Sequence, residues 1–283
     1  MNENDQPAPT SKSIRLMYWI LDAPPEITAI AEALDFDRIG FVRPSLYTKW
    51  NPKRFDVEWA QQNLEKITAA LEGGEWMVTD LEGEPRRRVR YPDEYDDEPG
   101  EVRRAVKEYL TMWKWFRSHF PNLKLSEWNL SPGVDSDRFP LAEKLVLSSL
   151  DAIDISLYWR HRPGWLNGHR KVVAHAVELG RAHNKPVIVW VWERYLVWND
   201  DHTVAVYTPV PREAIDQMIG LAMTDGVDIV ALWSNTYAIL AANNPRKIIA
   251  ETAGRDAGDD PLPEINANKV RLMAEMRLQA GAG

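Results

Sequence analysis

The chain has 283 residues, 45% of them hydrophobic, enough to build a sizeable core in one large domain or two small ones. Its 42 acidic residues outnumber 34 basic ones, and a net charge of -8 argues against a non-specific grip on nucleic acid, which needs clustered Lys and Arg. The absence of cysteine excludes disulfides, thiolate nucleophiles and cysteine-ligated metals, leaving oxygen and nitrogen chemistry.

Residues 1–12 are polar and read as a disordered tail. The run after them is too short to span a bilayer, so neither a signal peptide nor a membrane anchor is expected. That favours a soluble, cytoplasmic protein, or one released without a signal as phage lysis products are; a trimmed leader would make it extracellular. The first strand is "IRLMYWILD" (14–22), followed by the helix "PPEITAIAEAL" with proline in its first turn. "RIGFVRPSL" (38–46) reads as a second strand, and 56–71 as a helix ending at Gly73–Gly74. "EWMVTDLEG" is the third strand. The stretch 84–100, in which Arg86–Arg90 is answered by "PDEYDDEPGE", reads as a solvated loop of mixed charge. A helix over roughly 100–119 places Val102, Val106, Leu110, Trp113 and Phe116 on one face. "LKLSEWNL" (123–130) is the fourth strand, and "AIDISLYW" (152–159), after a helix near 139–150, is the fifth. A helix at about 168–183 leads to "KPVIVWVWERY" (185–195), and "PREAIDQMIGLAMTDG" leads to the seventh strand, "VDIVALWSN" (227–235). Two further helical stretches close the chain, with "GRDAGDDPL" expected to be flexible.

Strands alternating with helices, in nearly continuous apolar runs, imply a parallel sheet covered on both faces. A doubly wound sheet and a (β/α) TIM-like barrel of seven or eight strands both satisfy the pattern. The barrel is preferred, as a single domain over residues 13–283, because polar and aromatic residues gather at the strand C-termini: Asp22, Arg43, Asp80, Glu82, Glu127, Asn129, Tyr158, Glu193, Tyr195, Trp233 and Asn235. A barrel brings all of these to one mouth, whereas an open sheet collects only those near its switch point.

Asp80 and Glu82 stand out. Strand alternation puts them on the face of Trp76 and Val78, with Met77, Thr79 and Leu81 opposite. An ionised Asp80 would help keep Glu82 protonated, and a protonated carboxyl in a Trp-rich cleft is a general acid for glycosidic cleavage. The competing reading is an ion pair from Asp80 or Glu82 to Arg43, to Arg86 or to a helix N-terminus. The 13 Trp, against six Phe, suit a sugar-binding cleft, although most are expected to be core.

The D-x-E of Asp80–Glu82 closing an apolar strand, followed in order by "DAIDISLYW", "KPVIVWVWERY" and the stretch ending "VDIVALWSN", resembles the hyaluronidase-type glycoside hydrolases over roughly residues 74–237. The resemblance implies a distorted (β/α) barrel and a retaining reaction in which the substrate's acetamido group is the nucleophile. It assigns Glu82 as acid/base and Asp80 as the group that orients the acetamide. Tyr158 would lie near the sugar and Trp233 would floor the pocket. The chain departs from that family in having Leu81 where an aromatic is usual, and in having no cysteine.

Glu193 is a rival acid, weighed against a Glu–Arg ion pair; Glu127 is weighed in the same way and counted among the substrate contacts, and Trp128 and Asn129 are candidates for binding sugar hydroxyls. The six histidines show no metal-binding spacing, and dinucleotide, P-loop and α/β-hydrolase motifs are absent, so no cofactor is expected. The expected partner is a carbohydrate polymer, with neither nucleic acid nor membrane, and the sequence leaves the oligomeric state open. The expected function is a glycosidase acting on a polysaccharide that contains N-acetylhexosamine. The alternatives are a non-catalytic carbohydrate-binding or structural barrel of a phage or cell-surface assembly, and a barrel of unrelated chemistry.

Overall fold

The computed structural model describes residues 14–21, 25–49, 54–95, 99–130, 140–157, 165–192, 194–198, 205–209, 212–235 and 262–280. In chain order the strands are β1 (Arg15–Leu21), β2 (Asp37–Arg38), β3 (Gly40–Phe41), β4 (Thr48–Lys49), β5 (Arg54–Phe55), β6 (Trp76–Thr79), β7 (Lys124–Glu127), β8 (Ile153–Leu157), β9 (Val187–Trp192), β10 (Arg194–Trp198), β11 (Ala205–Pro209) and β12 (Ile229–Asn235). The helices are α1 (Pro25–Ala33), α2 (Val57–Gln62), α3 (Leu64–Leu71), α4 (Glu84–Arg90), α5 (Pro99–His119), α6 (Pro140–Ser149), α7 (Trp165–His183), α8 (Arg212–Ala222) and α9 (Leu262–Ala280).

The parallel strands follow one another around a ring. β1 pairs with β12 on one side, from Arg15↔Ile229 to Leu21↔Asn235, and with β2 on the other. β2 and β3 act as one strand that changes neighbours at Ile39: its N–H still donates to Tyr18 O at 3.0 Å, while Gly40 and Phe41 pair with Met77 and Val78 of β6. Glycine is needed at the crossing, because a Cβ on Gly40 would lie 2.8 Å from Trp76 O. The order continues through β6 and β7, then β8, β9 and β12 back to β1.

Between β7 and β8 the strand ladder is replaced by side-chain and loop bonds. Leu125 N–H donates to Asp151 Oδ2 at 2.7 Å, Asp151 N–H to Leu125 O at 2.8 Å, and Ser126 Oγ to Asp154 Oδ2 at 3.0 Å. The architecture is therefore a (β/α) barrel whose ring is stitched, not paired, at one seam.

Strand alternation sorts the apolar residues into two cores. Met17, Trp19, Ile39, Phe41, Trp76, Val78, Trp128, Ile188, Trp190, Ile229 and Ala231 fill the inside of the ring. Leu16, Tyr18, Met77, Leu81, Leu125, Val189 and Val191 face out against the helices. Among the described residues no helix is long and apolar enough to cross a membrane.

Several expectations need correction. The charged stretch after β6 is not a loop: Gly83 (φ 86°, ψ -144°) occupies a backbone region open chiefly to glycine, Pro85 sits in the first turn, and the helix runs Glu84–Arg90 with its acid first and its arginines last. The second predicted strand shrinks to Asp37–Phe41 and gives way to a 3-10 turn at Pro44–Leu46. The helix 56–71 breaks into α2 and α3 at Asn63. Helix α5 buries Ala105, Tyr109, Met112, Trp113 and Phe116, a face rotated from the one predicted, and leaves Leu110 exposed. An antiparallel hairpin, β10–β11, follows β9. Residues 1–12, 254–261 and one of the two closing helical stretches lie outside the described residues.

Candidate active site

The upper part of the ring interior is lined with aromatic rings from successive strands. Trp19 lies 4.5 Å from Phe41 and 6.3 Å from Trp233, to which it is nearly parallel. Phe41 meets Trp128 and Trp190 edge-on at 6.0 and 6.2 Å, while Trp233 lies 5.6 Å from Trp128 and 4.6 Å from Trp192. Offset and edge-on contacts are the stable arrangements for such rings. Trp233 is the half-buried member of the group.

The carboxylate segment follows β6 directly. Trp76 and Val78 point inside and Met77 and Leu81 outside, so alternation places Asp80 on the inner side. Asp80 is only 4% exposed and is ion-paired through Oδ1 to Arg86 Nη2, in the first turn of α4. Of the partners considered from sequence, Arg86 pairs with Asp80, and Arg43 is exposed ahead of the 3-10 turn. Burial pushes the Asp80 carboxyl up to about 7 against the pull of Arg86, and the charges of Glu82 and Glu127 add to the rise. With its carboxyl near 7, Asp80 carries its charge chiefly above that pH. Glu82 is half-buried beside it.

The same α4 helix secures the end of β7. Arg86 Nη2 donates to Trp128 O at 2.8 Å, Arg90 Nε to Leu130 O at 3.2 Å, and Arg90 Nη2 to Asn129 O. Three consecutive carbonyls that have left the ladder thus meet two guanidinium groups. Burial, aided by the charge of Arg86, lowers Arg90 to about 10. Asn129 sits at φ 50°, a left-handed conformation that Asn tolerates better than most residues.

Asp154, which sequence reasoning passed over within "AIDISLYW", lies inside the ring and is 2% exposed. Its carboxyl accepts from Ser126 Oγ at 3.0 Å, Trp190 Nε1 at 2.9 Å and Asn129 N–H at 3.4 Å. Burial pushes it up to about 8 in spite of these donors. The signal that could have found it was a lone acid in an apolar strand at an inward position.

Glu127, expected to meet sugar, is 1% exposed and faces outward between β6 and α5, where its oxygens are taken by Thr79, the Leu81 N–H and Trp113. Trp128 and Trp233 are brought together, and Asn129 contributes its backbone to the same turn. Asp22, Tyr158 and Glu193 lie outside the described residues, as do the side chains of Tyr195 and Asn235, although the backbones of the last two belong to β10 and β12. His175 bonds Glu143 at 3.0 Å and His119 stacks on Trp115. Among the described residues no group of three or more His, Asp or Glu is placed to hold a metal ion.

No family model matches the chain, and no curated protein matches it. Solved structures do. Bee venom hyaluronidase superposes with a TM-score of 0.57 at 13% identity, covering 91% of this chain and 100% of the other. The same bee enzyme in complex with a hyaluronic acid tetramer gives 0.55 at 12% identity, covering 92% and 99%. At such identities the likeness speaks for the fold: this chain shares the TIM-like barrel seen in bee venom hyaluronidase, in keeping with the resemblance its sequence motifs carry.

Proposed function

We propose that the chain is a glycoside hydrolase that cleaves a polysaccharide containing N-acetylhexosamine, with retention and with help from the substrate's own acetamido group. What supports this reading is that the Asp80–Glu82 pair directly follows the C-terminal end of β6 and that Trp233 packs against Trp128 at 5.6 Å. Enzymes of this fold place their chemistry at that end of the barrel.

In the reaction Glu82 gives its proton to the glycosidic oxygen as the C1–O bond breaks. The acetamido carbonyl oxygen attacks C1 while ionised Asp80 accepts a hydrogen bond from the acetamide N–H, stabilising the charge that builds on the ring being formed. Glu82 then takes a proton from water, which opens the intermediate and restores the starting state. One close pair of carboxylates suffices because the substrate supplies the nucleophile. Arg86 balances the charge of Asp80, and the aromatic floor takes the faces of the sugar rings.

The test compares a polymer with its de-N-acetylated form. Release of reducing ends from the acetylated chain alone is expected; equal rates on both would remove the acetamide from the mechanism. A second reading, a carbohydrate-binding barrel without chemistry, draws on the near-complete burial of Asp80 against Arg86. It requires sugar binding that is indifferent to Glu82 and lost on replacing Trp233 or Trp128.

A further inference from the structure

Leu81, the residue between the two acids, lies beyond the last β6–β7 register pair, Thr79↔Glu127, and its peptide therefore has no strand partner. Side chains from three elements take over. Asp80 N–H donates to Tyr47 Oη at 2.7 Å, Tyr109 Oη of α5 donates to Leu81 O at 2.8 Å, and Leu81 N–H donates to Glu127 Oε1 at 2.6 Å. The other oxygen of Glu127 is held by the Thr79 hydroxyl and by Trp113 Nε1 at 3.3 Å, and Arg86 Nη2 stands 3.8 Å from Oε1.

A neutral acceptor would hold one amide at a smaller desolvation cost than a fully buried carboxylate. What the charge adds is its field. The titratable and charged groups that interact with Glu127 are Arg86 of α4, Asp80 just after β6, Asp154 of β8, Tyr109 of α5 and Tyr47 beyond the 3-10 turn. Of these only Arg86 is a cation, and it is shared with Asp80.

We propose that Glu127 is a positioning residue: a buried carboxylate that fixes the peptide between Asp80 and Glu82 and competes with Asp80 for the charge of Arg86. The proposal rests on the hydrolase reading for its kinetic consequence, but the competition for Arg86 stands apart from it. Burial raises the Glu127 carboxyl, and Arg86 is the first of the partners that favour its ionised form.

Two substitutions in the full chain separate the roles. Glu127→Gln keeps the reach and removes the charge; Glu127→Asp keeps the charge and loses the reach. Kinetics on whichever of chitin, hyaluronan or chondroitin the wild type cleaves should show kcat reduced about a hundredfold in Glu127→Asp with KM within twofold, the effect of misplacing the acids by about 1 Å. Glu127→Gln should move the acid limb of the pH profile to lower pH, and carbon NMR of the Asp80 carboxyl without substrate should show the same displacement. Wild-type kcat in Glu127→Asp together with an unmoved Asp80 titration in Glu127→Gln would overturn the proposal. Should neither variant fold, Trp113→Phe, which removes the 3.3 Å donor, must lower kcat at unchanged KM for the proposal to survive. If Glu82→Gln keeps full turnover, or no polymer is cleaved, the hydrolase reading fails and the NMR displacement still decides whether Glu127 acts on Asp80.

Discussion

Arg86 closes on Asp80 across the tight turn at Gly83, and the same nitrogen that meets the carboxylate also donates to Trp128 O at 2.8 Å. One guanidinium thus ties the acidic segment after β6 to the aromatic platform after β7. Both side chains are largely buried, at 14% and 6% exposure, so removing the cation leaves an uncompensated charge where water does not reach. Arg86→Met is expected to destabilise the fold by about 3 kcal/mol at pH 8. The loss should be smaller at pH 5, where Asp80 holds its proton. Urea unfolding at the two pH values checks this; equal losses would mean that the pair carries no net charge interaction.

Asp154 sets a pH dependence of stability. Its folded value, about 8, lies above the unfolded one, so its contribution is fully present below pH 4 and is lost progressively as pH rises to 8. Asp154→Asn should flatten that part of the stability curve, leaving the variant less disadvantaged at pH 8 than at pH 5. A thermal-melt series from pH 4 to 9 in both proteins reads the difference directly, and parallel curves would contradict the assignment.

Catalysis carries a different titration. If ionised Asp80 receives the acetamide, kcat/KM must fall as pH drops through about 7. A flat profile between pH 6 and 8 would separate Asp80 from the reaction.

Trp233 is half-buried and meets Trp19, Trp128 and Trp192. Trp233→Ala should weaken oligosaccharide binding about tenfold, the order of one lost ring face, while the barrel stays folded. Titration calorimetry with an N-acetylated oligosaccharide measures it; unchanged affinity would place the sugar elsewhere.

The periodicities of β1, β6, β9 and β12 were legible because strands buried on both faces are apolar throughout, and Trp76 and Val78 face inward with Met77 and Leu81 outward, as the alternation read from sequence has them. The helix α4 was misread because a run of arginines looks solvated, although glycine, then Glu-Pro, then terminal arginines is a helix pattern with its dipole satisfied. Arg86 was named as a possible partner of the acids, but that error hid Arg90, which holds the carbonyls of Asn129 and Leu130. Glu127 was placed at the mouth by position alone; its outward face followed from alternation against Leu125, but its partner Trp113, and the Tyr109 that holds Leu81 O, come from a helix whose buried face the apolar residues alone did not define. Bonds that cross between elements leave no local signature in the sequence.

The central claim is that Glu82 is the proton donor. The most direct measurement is reducing-end release from a panel of N-acetylated polysaccharides by wild type and by Glu82→Gln, with folding of both verified by circular dichroism. The account requires release by wild type and a loss of about two to four orders of magnitude in the variant. Equal release by both proteins would contradict it.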